Sequence, residues 1–234
     1  MAAKAAPRRA KAAKAAAPGP RVGPPKDVAP WLAALTVAVP VPKCELDFRN
    51  PFELLIATQL SAQSTDVMVN KVTPVLFARW PTPAALAAAE QSEVEAVLRP
   101  TGFFRNKAKN AIASAKLLVE RHGGEVPASM EALLELPGVA RKTANVVLGT
   151  AFGIPSGVTV DTHAFRVTAR WGWQAEKTPE KVEPILMKTV PQAEWPAFGH
   201  RVVLFGRYRC TARAPQCEGC PLRDLCPWEP TAGG

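Results

Sequence analysis

Apolar positions along this chain recur at three- and four-residue intervals, and the recurrence starts only after residue 26. Trp31, Leu32, Leu35 and Val37 follow Pro30, a residue suited to a first helical turn, and Pro40 and Pro42 close the segment. Phe52 to Leu60 is apolar almost throughout, which predicts a helix buried on most sides. The run Ser61-Ala62-Gln63-Ser64-Thr65-Asp66 interrupts it, with Ser64 or Thr65 placed to cap a helix reaching about Arg79. Short helices are expected at 84–89 and 93–98, after breaks at Pro81 and Pro83. From 105 to 122, apolar residues at 108, 111, 112, 115, 118 and 119 keep helical spacing up to the Gly123-Gly124 stop. Further helices are expected on either side of a turn at 136–140, then at 162–171, 179–190 and 192–206. Alternating patterns are scarce, and Gly157–Val160 is at most a few extended residues. The pattern is all-α, with roughly ten helices and short connections.

Charge changes this picture at one end only. The formal net charge is +9, which points to a polyanionic partner. Residues 1–26 hold seven of the 29 basic residues and no acid, leaving 22 bases against 20 acids, or +2, for the rest. This Ala-, Lys-, Arg- and Pro-rich tail has almost nothing to bury and reads as disordered, either a passive extension or a sequence-independent DNA tether. The folded part must grip nucleic acid through a local patch. With no run of 18 apolar residues and no secretory pattern, the chain is expected to avoid membranes and to stay in the cytoplasm.

Two stretches carry chemistry. The first is Glu131–His163, which reads as helix, tight turn Leu136-Pro137-Gly138-Val139-Ala140, helix, loop and a further helix. A glycine turn at a helix start can present backbone N–H groups to a phosphate. Lys142 follows Arg141 in that first turn, and a primary amine is the nucleophile that condenses with a sugar aldehyde. Asp161 is placed to cap the helix at 162–171 and can face the lysine as well. The second stretch is Cys210, Cys217, Cys220 and Cys226, spaced C-x6-C-x2-C-x5-C. Four thiols in this spacing converge on a metal, and the spacing alone leaves zinc and an iron–sulfur cube both open. Cys44 stands apart and reads as a small buried apolar residue.

LPGVARKTANVV, then VDTH, then the four cysteines, together with NPFELLIATQLSAQSTD at 50–66 and the TGFFRNKAKN turn, resemble the endonuclease III family of helix-hairpin-helix DNA glycosylases. The resemblance spans about residues 48 to 227. It implies two helical lobes, a six-helix barrel over 49–155 and a second lobe of 27–48 with 156–234. That second lobe would hold a [4Fe-4S] cluster on the four cysteines. It further implies a monomer that binds damaged duplex DNA in the cleft between the lobes. Lys142 would attack C1′ of the sugar with Asp161 assisting, and oxidised pyrimidines and abasic sites would be the substrates. Gln63 would fill the gap left by the flipped nucleotide, Phe103 would wedge beside the orphaned base, and Gly138, Ala140, Arg141 and Arg213 would meet the DNA backbone.

The chain departs from the family pattern at Ala140, where a second glycine is usual. A left-handed alanine there would cost roughly 1–2 kcal/mol. Asp66 sits where helix capping alone accounts for an acid, His163 could bond near Asp161, Tyr208 is expected to pack near the cysteines, and Arg207, Arg209 and Arg213 could present charge to phosphates. Two rivals stand beside the glycosylase–lyase reading: a glycosylase without lyase chemistry, which would lack Lys142, and a non-catalytic DNA-binding iron–sulfur module.

Overall fold

Eleven α-helices and two short 3₁₀ turns make up residues 23–230, which this computed structural model describes, and no strand occurs among them. The tail expected at 1–26 lies outside the described residues up to position 22. Local chemistry sets most helix starts. Pro30 lies in the first turn of α1 (Ala29–Ala38). Asn50 caps α2 (Pro51–Leu60) by accepting the Glu53 N–H at 2.9 Å, while the Glu53 carboxylate accepts the Arg49 N–H at 2.8 Å. Thr65 caps α3 (Asp66–Arg79). Thr82 caps α4 (Pro83–Ala87), and α5 (Gln91–Leu98) and α6 (Phe104–His122) follow. Ser129 caps α7 (Met130–Leu134), and Asp161 caps α9 (Thr162–Arg170). Between them lies α8 (Arg141–Ala151), and α10 (Pro179–Thr189) comes after α9.

Two expectations shift by small amounts. The helix expected over 192–206 is a 3₁₀ turn at Gln192–Glu194 followed by α11 (Trp195–Tyr208), whose first turn holds Pro196. A proline at a first turn resets the chain instead of continuing it. On α6 the buried stripe runs through Ala108, Ala111, Ile112, Ala115 and Leu118, and Val119 is left exposed.

The apolar faces close into two cores. The first gathers α2 to α8 around Leu54, Leu55, Ile56, Leu76, Leu98, Leu118, Leu133 and Val147. The second gathers α1, α9, α10 and α11 around Trp31, Trp171, Trp173, Leu186, Phe198 and Val202. The three tryptophans meet with ring centroids 5.1–5.3 Å apart, and Trp173 stacks on Phe198. Trp31 thereby ties the N-terminal helix to segments some 140 residues away along the chain. Leu46, with Cys44 and Phe48 against it, packs in the first core.

Trp31→Ala is expected to cost about 3–5 kcal/mol by emptying the centre of the second core. A lowered urea midpoint measures it, and an unchanged midpoint would contradict the role given to the tryptophan cluster.

Candidate active site

The turn between α7 and α8 is held from beneath by a buried polar relay. Gln59 Nε2 donates to Ser114 Oγ at 2.8 Å and to the Pro137 carbonyl at 3.0 Å, and Ser114 Oγ donates to the same carbonyl at 3.0 Å. Gly138 follows with φ +79°, and a Cβ built there would lie 2.7 Å from Asn110 Nδ2, so both conformation and space call for glycine. Ala140 is not left-handed: its φ of −95° and ψ of 169° are extended, and alanine costs nothing there. No described side chain caps α8, and its first turn holds no acid. The leading N–H groups of α8 therefore stay open to an anion. Gly138, Ala140, Arg141 and Lys142 are all exposed.

Arg141 is not a free cation awaiting phosphate. Its Nε donates to Glu183 Oε2 at 2.8 Å, although half of its side chain remains exposed. Glu183 Oε1 also accepts from Asn145 Nδ2 at 2.7 Å, and Asn145 Oδ1 accepts from Ser156 Oγ at 2.9 Å. Neither Glu183 nor Asn145 was singled out from sequence. The available signal was a polar residue inside a buried helical run, Asn145 between Ala144 and Val146 and Glu183 next to Val182.

Lys142 and Asp161 line one cleft between the two cores. Thr58, Ser61 and Val146 come to it from the first core's helices, and His200, Val203 and Leu204 come from α11. Asp161 Oδ1 accepts the N–H groups of His163 and Ala164, both at 2.8 Å, which caps α9. Among the described residues nothing bonds to Oδ2, so one oxygen caps while the other stays available to the cleft. Cys44 is not a plain core residue: it is part-buried on this wall, where burial pushes its thiol up.

At the mouth, Arg207 Nη1 pairs with Asp66 Oδ2 at 2.6 Å and with Glu45. Burial works against the guanidinium charge, but these carboxylates outweigh it and hold Arg207 firmly protonated. Two expectations are corrected here. Thr65 caps α3 and leaves Asp66 free to pair, and Arg207 is occupied by acids instead of facing phosphates. Tyr208 is 60% exposed and donates its hydroxyl to Glu45 instead of packing by the cysteines. The ring Nδ1 of His163 lies 3.4 Å from Arg166 Nη2, and burial lowers its pKa; its backbone N–H, not its ring, meets Asp161.

Gln63 and Phe103 share a property that sequence could not display. They are the two non-glycine residues at positive φ among the described residues, at 53° and 47°. Phe103 is 66% exposed, while its neighbour Phe104 packs against the first core. Lys107, one of the two bases of that turn, is buried, and its Nζ braces the turn through the Thr101 carbonyl at 2.9 Å.

The four cysteines line one recess with Trp171, Leu222 and Trp228. Burial raises the Cys217 and Cys226 thiols, and the neighbouring cysteines raise them further. Four thiols lining one recess supply the all-sulfur donor set that an iron–sulfur cluster takes, and they must lose their protons to hold it. Arginines shape the loop from behind. Arg170 Nη1 lies 3.2 Å from Cys210 Sγ and 2.7 Å from the Thr211 carbonyl, and Arg166 Nη2 donates to the Gly206 carbonyl at 2.6 Å. Arg209, expected to be free, donates to the Gly219 carbonyl at 2.6 Å inside the loop. Arg213 is exposed.

The model of the HhH-GPD superfamily of base excision DNA repair proteins matches residues 56–192, and that of the iron–sulfur binding domain of endonuclease III matches 210–226. Endonuclease III of Synechocystis is 51% identical over 196 residues, 84% of this chain and 90% of that one. The chain belongs to the endonuclease III family. Like other endonuclease III proteins it carries a [4Fe-4S] cluster. Two solved endonuclease III structures, a non-covalent DNA complex and a trapped covalent DNA intermediate, superpose with TM-scores of 0.79 at 47% identity. They cover 84% and 83% of this chain, and 92% of each solved chain is matched.

Gly138→Ala should lose at least about 1–2 kcal/mol through its positive φ alone and weaken duplex binding. Ala140→Gly should change stability by less than about 0.5 kcal/mol. Thermal melts with fluorescence anisotropy on duplex DNA measure both, and a large gain in affinity for Ala140→Gly would reinstate the left-handed requirement.

Proposed function

We propose that this DNA glycosylase and abasic-site lyase of base excision repair removes oxidised or ring-saturated pyrimidines. Its chemistry would run on Lys142 and Asp161. The observation that carries the assignment is their shared cleft: an exposed amine in the uncapped first turn of α8 faces the space lined by an aspartate with one uncommitted oxygen. The two cores act as two lobes, with DNA lying across the cleft between them and the damaged nucleotide flipped into it. The enzyme works as a monomer, in the cytoplasm and on the nucleoid. No helix among the described residues is long and apolar enough to cross a membrane.

In this reaction the Lys142 lone pair forms a bond to C1′ as the bond from C1′ to the base breaks, and the base leaves with that electron pair. Asp161 accepts the proton the amine must shed and faces the positive charge that develops on the sugar. Opening of the sugar ring leaves a Schiff base between Lys142 and C1′. Loss of the C2′ proton then expels the 3′ phosphate, which cuts the strand, and water releases the lysine. Gly138, Ala140 and the open N–H groups of α8 meet a phosphate beside the lesion. Arg213 meets another. Gln63 and Phe103 enter the duplex where the nucleotide has left. Cys210, Cys217, Cys220 and Cys226 would hold the [4Fe-4S] cluster. Held by these four thiolates, the cluster would supply a structural tie for the second lobe.

Incubation with an abasic-site duplex and borohydride should give a covalent adduct with the native chain and none with Lys142→Ala. Asparagine caps helices as well as aspartate does. Asp161→Asn should therefore keep the melting temperature while slowing single-turnover cleavage by about 10²–10⁴-fold. An undiminished adduct in Lys142→Ala would reject the lyase assignment. Replacing Cys220 with serine should remove the visible absorption of the cluster, and retention of a full spectrum would remove that residue from the ligand set.

A further inference from the structure

The buried carboxylate of Glu183 sits where three separate segments meet. It is 7% exposed and belongs to α10, whose neighbours Val182 and Leu186 lie in the second core. Both of its oxygens are engaged by α8, whose Ala144, Val147 and Leu148 lie in the first core. Oε2 takes Arg141 at 2.8 Å and Oε1 takes Asn145 at 2.7 Å. Arg141 and Asn145 are four residues apart and so share one helix face, with Lys142 one position round from it. The third segment is the stretch running up to Asp161. Ser156 Oγ bonds to Asn145, and Gly157 is pressed so close that a Cβ would lie 2.2 Å from Glu183 Oε1. No described side chain caps α8, and Glu183 holds its first turn from one side while Gln59 and Ser114 hold the preceding turn from the other.

We propose that Glu183 is a positioning residue that sets Lys142 and Asp161 against each other by binding the start of α8 and the approach to α9 to one buried charge. The proposal rests on the reading of those two residues as the catalytic pair. Glu183 touches neither of them and acts through Arg141, Asn145 and the backbone at 156–157. Misplacing two reacting groups by about 1 Å costs on the order of 100-fold in rate.

The test uses the full, cluster-containing chain in single-turnover cleavage of an abasic-site duplex, with enzyme in excess over a range of concentrations. Glu183→Gln keeps the shape and removes the charge. Gly157→Ala keeps the charge and displaces the carboxylate. Arg141→Gln removes the partner from the half-exposed side. Each is expected to lower the saturating rate about ten- to hundred-fold. The enzyme concentration at half-saturation should stay within about two-fold. A purely structural role gives the opposite split: a smaller active fraction raises the half-saturating concentration and leaves the saturating rate intact. That result, or an unchanged saturating rate in all three variants, overturns the proposal. Failure of the native chain to give a borohydride adduct, or an adduct surviving Lys142→Ala, overturns the catalytic reading instead.

Discussion

The site depends on where α8 begins. A helix start that is to meet a phosphate must keep its first N–H groups unfilled, so the side-chain cap that fixes five other helix starts among the described residues is denied to it. Asn50, Thr65, Thr82, Ser129 and Asp161 cap their helices with a side-chain oxygen, and Ala140 does not. The turn is held instead by long-range polar contacts: Gln59 and Ser114 on the Pro137 carbonyl from one side, Glu183 on Arg141 from the other. Buried polar groups of this kind are costly unless satisfied, and here each contact made is also a constraint on the turn.

The second lobe repeats this logic with charge. Asp161 opens α9, and one and two turns further along the same helix Arg166 and Arg170 reach the backbone carbonyls that shape the cysteine loop. A single nine-residue helix therefore carries the aspartate at one end and grips the cluster loop at the other. The cysteine loop and Asp161 are thus joined through one short element.

Features set by neighbours along the chain were legible before any coordinates. The caps at Thr65 and Asp161, the α6 stripe, the glycine at 138 and the cysteine spacing all rest on interactions within a few residues. The partner of Arg207 and Tyr208, Glu45, lies more than 160 residues away, and that of Arg141, Glu183, lies 42 residues on, so no local pattern shows these pairings. Ala140 illustrates a different limit. The family resemblance supplied a glycine, but a glycine can be present without its special conformation being used, and only the dihedral angles distinguish the two cases.

The left-handed backbone at Gln63 and Phe103 has an energetic consequence. Holding a non-glycine residue there costs about 1–2 kcal/mol. In a flexible loop that cost, together with the loss of chain freedom, would fall on every encounter with DNA. In this chain the glutamine is already set in place by the turn over Ser61–Thr65 and the phenylalanine by the braced turn at Thr101–Lys107. Folding absorbs the strain once, so both exposed side chains are already shaped before any partner arrives.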